Sequence, residues 1–211
     1  MTDTPQQDGI SKIVEILLGL LSSMPPTSQQ SVSSPERHAR SLIQRYSVTA
    51  ATSSAGLAIP PGPFGLLTVL PDLALIWRIQ QQLVVDIAST FGRQSSLTRE
   101  QMIYCLFRHT AAQVVRDLVV RVGERVLVKR ASLRFLQALL EKIGIRVTQR
   151  VAGRVISRWV PVIGAVGMGA YSYFDTKKVG ETALELFRCE IEIDGHVILE
   201  DDSSGKALTA R

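Results

Sequence analysis

The sequence predicts an all-α protein: a compact multi-helix domain with Gly/Pro-rich apolar helical hairpins and a small C-terminal β-hairpin. Three observations carry this. Hydrophobic residues make up 45% and charged residues 20% of 211 residues, which fits one domain with a sizeable core. Long segments between residues 35 and 188 repeat apolar residues at helical spacing, with cap signals at their ends. One stretch near the C-terminus, CEIEIDGHVIL, instead alternates apolar and polar residues around an Asp-Gly turn. The chain therefore divides into residues 1–34, an N-terminal amphipathic helix and a Ser/Pro-rich linker; residues 35–188, the helical domain; and residues 189–211, the hairpin and a disordered tail.

In the first element, GISKIVEILLGLL (9–21), Ile10, Ile13, Leu17 and Leu20 share one helical face. The Ser/Gln/Pro-rich run over 22–34 reads as a flexible linker. The first helix is then either a detachable arm, ready for a protein partner, or a helix packed back on the core. The N-terminus has neither a basic n-region nor a cleavage motif, so no secretory signal is expected. The expected location is cytoplasmic, with peripheral association to the inner membrane.

The domain helices follow. Ser34, Pro35 and Glu36 suit an N-cap, a first helical position and a first turn. No residue from Tyr46 to Pro71 is charged, and Pro60, Pro61, Pro63 and Pro71 exclude one continuous helix there. A new helix is expected from Pro71 and Asp72 to Thr90, with Arg78, Gln82 and Asp86 on one polar stripe and Gly92 ending it. Thr98 and Gln101 fit a capping box for the next helix. Residues 114–130 are ambiguous: the valines and RVGERV suit a hairpin, while Arg121, Arg125 and Lys129 at spacing four favour a helix. Helix is the expectation. RFLQALLEKIG is helical, with Gly144 as a break, and IRVTQRVAGRVISRWV (145–160) is an amphipathic helix. A second uncharged run, Trp159 to Phe174, ends in Asp175 and echoes the first.

Two stretches carry a family resemblance. The Gly/Pro-rich apolar segment from Gly56 to Gly65, followed by LPDLALIWRIQQQLVVDIASTFG, resembles the EcsC protein family. VPVIGAVGMGAYSYFDTKKVGETALELFR is similar to that family's second signature, and the DUF697 family shares a similar one. The matching positions are Gly56, Pro60, Gly62, Gly65, Asp72, Arg78 and Gly92, then Pro161, Gly164, Gly167 and Asp175. This chain departs from the family's aspartate-isoleucine-proline order, since Pro71 precedes Asp72. The resemblance implies no agreed biochemical activity.

No motif demands catalysis. Cys105 and His109 are four apart on a helix, as a nucleophile and base would be, but no orienting partner or oxyanion hole accompanies them. His38, His109 and His196 are scattered, without an HExxH or CxxC pattern, so no metal is expected. GAVGMG lacks the order of a dinucleotide fingerprint, there is no P-loop, and no cofactor is expected. Gly164, Gly167 and Gly169 are instead expected where two helices pack closely. The two cysteines, Cys105 and Cys189, are too few for a disulfide framework. Asp72 and Asp175 either face one polar pocket, with Arg78 as a partner of Asp175, or mark helix N-termini.

Charge is the stronger signal. The net charge is +5. From Arg116 to Arg158 there are eleven basic residues against three acidic ones, a local excess of +8. Arg146, Arg150, Arg154 and Arg158 recur at helical spacing beside Val147, Val151, Val155 and Trp159. That pattern fits a solvated face or an interfacial helix on anionic lipid. Nucleic acid is not the expected partner, because aromatics do not interleave with the arginines. The expected function is non-catalytic and peripheral: binding to an anionic membrane surface or to a membrane protein. The alternatives are a hydrolase or lipid-acting enzyme using Asp72, Asp175 or His109, and a cytosolic adaptor.

Overall fold

The computed structural model describes residues 4–56, 66–122, 125–155 and 161–198. These form six α-helices, α1 (Thr4–Ser22), α2 (Pro35–Gly56), α3 (Leu66–Thr90), α4 (Arg99–Val115), α5 (Leu133–Val155) and α6 (Pro161–Arg188). Three strands join them, β1 (Val119–Val122), β2 (Arg125–Ala131) and β3 (Glu190–Ile198). The domain is mostly helical, as expected.

Helices α2, α3 and α6 pack as a bundle whose polarity is fixed by contacts at both ends. At the base, Arg188 meets Glu36 at 3.6 Å, Arg93 donates to the Cys189 carbonyl, and Val32 N–H donates to the Thr90 carbonyl. Further up, Ser54 and Ser172 hydroxyls lie 2.7 Å apart. So α2 runs antiparallel to α3 and α6, and the C-terminus of α2 and the N-termini of α3 and α6 share one end. The helices pack closest at Gly180. A Cβ there would lie 2.5 Å from Ile43 Cγ1 and 3.1 Å from Leu83 Cδ2, so the missing side chain lets α6 reach both neighbours. Gly167, expected at such a crossing, is exposed with nothing within 4 Å of a built Cβ. It lies on a part of α6 that runs past the end of α2.

Several boundaries differ from the sequence expectation. Helix α3 begins at Leu66, so Pro71 and Asp72 lie inside it. Pro71 costs it one backbone hydrogen bond near its start. Asp175 likewise lies fourteen residues inside α6. Neither aspartate is a helix N-terminus. Gly144 does not break α5; it is buried, 3.3 Å from Ile10 Cγ2 by its built Cβ, and lets α1 approach. Other signals hold. Gly92, at φ 70°, caps α3 with Gly92 N–H to Ser89 O and Arg93 N–H to Ala88 O, both 2.8 Å. Both capping-box bonds of Thr98 and Gln101 are present.

Helix α1 is part of the core, not a free arm. Its Ile13 and Leu17 are buried against the domain. The linker after it is pinned to α3: Thr27 donates to Asp86 at 2.6 Å, Ser89 to the Gln29 carbonyl at 2.6 Å, and Gln82 to the Pro26 carbonyl at 3.0 Å. Polar side chains on α3 thus hold a Ser/Gln/Pro segment that composition alone reads as flexible.

Residues 114–130 are where helix loses to strand. Helix α4 ends at Val115, and β1 and β2 form an antiparallel hairpin, pairing Val119 with Val128 and Val122 with Arg125. The C-terminal segment is not a hairpin. It is one strand, β3, parallel to β2, so the sheet has three strands in the order β1-β2-β3. Its register puts Arg125 opposite Glu190 and Lys129 opposite Asp194, and aligns Val126 and Val128 with Ile191 and Ile193. The Asp-Gly step is a bulge: pairing jumps from Lys129–Asp194 to Arg130–Val197. The tail over 201–211 lies outside the described residues.

Candidate functional site

Asp175 is the centre of a buried polar cluster midway along the bundle. His109 Nε2 on α4 lies 2.8 Å from Asp175 Oδ1, and Gln80 Nε2 on α3 donates to Oδ2 at 2.8 Å. A carboxylate only accepts, so the His109 Nε2 proton points to Asp175. The side chain of Tyr171 also hydrogen-bonds Asp175, and Gln80 reaches Thr176 Oγ1 at 3.3 Å. Burial pushes the Asp175 carboxyl up, but the hydrogen bond and charge of His109, with the bonds from Gln80 and Tyr171, outweigh it and hold the carboxyl below its ordinary range. His109 Nδ1 is buried and has no hydrogen-bond partner among the described residues.

The predicted polar pocket of Asp72, Arg78 and Asp175 does not form. Arg78 is exposed, and Asp175 takes His109 and Gln80 instead. Arg78 and Gln80 are two residues apart on α3, about 200° around the helix, so one faces out when the other faces in. Asp72 lies eight residues before Gln80, about 12 Å along the axis. Burial raises its carboxyl above the ordinary value. The Cys105–His109 pair fails as a nucleophile and base. Cys105 is fully buried, burial drives its thiol far up, and the nearby Arg108 charge only partly opposes this.

A second buried carboxylate, Asp86, has a structural role. Tyr46 donates to its Oδ2 at 2.6 Å, and Thr27 and Gln82 donate to Oδ1 at 2.6 and 2.9 Å. It ties α2, the linker and α3 together. Sequence reasoning put Asp86 on a polar stripe and missed this role. Gln80 and Tyr171 were missed too, since neutral residues on apolar helices give no charge signal.

Of the arginine row, Arg146 is exposed on α5. Arg150 and Arg154 follow on the same helix, and Arg158 lies outside the described residues. No group of three His, Cys, Asp or Glu suited to a metal occurs among the described residues, and no described helix is long and apolar enough to cross a membrane. The cluster at Asp175 therefore offers a His-Asp contact without an adjacent nucleophile, and it locks α3, α4 and α6 in register.

The comparisons with known proteins agree with this architecture. The model of the EcsC protein family matches residues 6–190, from α1 into β3. The chain belongs to the EcsC family, and the match includes α1, consistent with its place in the core. No curated protein and no solved structure matches it.

Proposed function

We propose that the protein is a non-catalytic, peripherally membrane-associated helical protein that binds an anionic lipid surface from the cytoplasmic side. The observation that carries the reading is charge distribution. From Lys142 to Phe174 the chain has five basic residues and no acid. Four of the five, Arg146, Arg150, Arg154 and Arg158, recur every fourth residue along and just beyond α5. Acid-free basic helices with an apolar side suit phospholipid headgroups, where each basic residue contributes about 1 kcal/mol. A basic membrane protein partner is disfavoured by the same charge, so lipid is the primary ligand. The test is co-sedimentation with phosphatidylserine vesicles and with neutral phosphatidylcholine vesicles at low salt. Sedimentation with the first only supports the reading; none with either contradicts it.

One observation favours a second reading, a hydrolytic or lipid-acting site: the 2.8 Å contact of His109 and Asp175. Asp72 is too far along α3 to join them, and the nearest cysteine is a buried thiol. Turnover of a phospholipid or ester abolished by Asp175→Asn, in a variant that still folds, is the result this reading requires. The adaptor reading needs α1 to leave a core in which Ile13 is fully buried.

A further inference from the structure

We infer that the bundle docks on anionic membranes end-on, through the N-terminal extensions of α3 and α6. This rests on the membrane reading above and adds which surface makes the contact. Gln80 on α3 meets Asp175 on α6, and each helix starts fourteen residues earlier, at Leu66 and Pro161. Both therefore rise about 21 Å beyond that contact, side by side and in the same direction. Helix α2, antiparallel to them, stops sooner. Ser54 is level with Ser172 and α2 ends at Gly56, which leaves the first nine residues of α6, about 13 Å, past its end. Gly167 lies there, exposed and with open space around it.

The sequence of these extensions is apolar. LLTVL opens α3 and PVIGAVGM opens α6. Leu75 and Phe174, 38% and 58% exposed, continue apolar surface down the two helices. Charge decides what this end contacts. No residue from Tyr46 to Pro71 is charged, so the turn from α2 to α3 brings none. Helix α5 climbs alongside α4, since Thr110 and Ala111 line one small cavity with Ile143, Arg146 and Val147. It ends at Val155, only six steps from Pro161, which is at most about 21 Å of chain. Arg150, Arg154 and Arg158 therefore approach the apolar end from the side, and the first acid met on either rising helix is Asp72. An apolar tip bordered by arginines and free of acid matches a bilayer of anionic headgroups over hydrocarbon. Two helical turns, about 11 Å, span the depth of such interfacial insertion.

The experiment uses the full chain with a single new thiol, since Cys105 and Cys189 are both buried. Gly167→Cys, carrying an environment-sensitive fluorophore, is compared with the same label at Ser95→Cys, an exposed site beyond the C-terminal end of α3. The probe is phosphatidylserine/phosphatidylcholine vesicles. Expected is a blue shift with quenching by lipid-borne quencher at position 167 and no change at 95. Vesicle binding without a change at 167, or with equal changes at both sites, overturns end-on docking while leaving membrane association standing. Absence of vesicle binding at low salt overturns both, including the case in which only a protein partner is bound. Gly167→Glu, which meets no neighbouring atom, keeps the fold and weakens vesicle binding by at least about fivefold; unchanged binding contradicts the proposal.

Discussion

At Asp175, three side chains on three helices decide the charge state of one carboxyl. Because its folded value lies below the ordinary carboxylate range, Asp175 stabilises the fold above the unfolded value of about 4, and this is lost as pH falls through the folded value. Urea unfolding from pH 7 to pH 3 should show wild type weakening in acid, and Asp175→Asn should flatten that limb. At pH 7 the substitution should cost about 1–3 kcal/mol by leaving His109 without its acceptor. The two glycines of α6 separate in the same way. Gly180→Ala forces a methyl against Ile43 and should destabilise by about 1–3 kcal/mol, while Gly167→Ala fills open space and should stabilise by up to about 1 kcal/mol, both read from melting temperature. The importance of Asp175 and His109 was legible from their charge and position. Their pairing was not, because the choice of Gln80 over Arg78 depends on which face of α3 meets α6.

Among the elements, the linker after α1 and the sheet were the least legible. Composition makes 22–34 a flexible segment, and only the tertiary arrangement brings Asp86, Gln82 and Ser89 against it. Limited proteolysis should therefore spare this segment in wild type, and Asp86→Ala, which removes acceptors for Thr27, Tyr46 and Gln82, should open it to cleavage. Cleavage at equal rates in both proteins counts against the clasp. The stretch 114–130 was misjudged because Arg121, Arg125 and Lys129 fit spacing four and spacing two equally. What selects strand is β3, more than fifty residues away, whose acidic positions align with basic positions of β2. The helices themselves, whose caps and apolar periods are local, were read well from Ser34, Thr98 and Gly92.

At the scale of the whole molecule, topology gathers what the sequence scatters. Two uncharged runs about a hundred residues apart contribute to one end of the bundle, and the acid-free arginine row of α5 leads to the same end. The echo between the runs was legible; their convergence required the antiparallel course of α2 against α3 and α6. The central claim is that these arginines hold the protein on anionic lipid. The most direct measurement is the affinity for phosphatidylserine vesicles of wild type and of the variant with Arg146, Arg150, Arg154 and Arg158 all changed to glutamine. At about 1 kcal/mol each, the four should lower binding by about a thousandfold near 0.1 M salt, and the difference should shrink towards 1 M as the screening length falls from about 10 Å to about 3 Å. Equal binding of the two proteins, or no binding of wild type at low salt, contradicts the account.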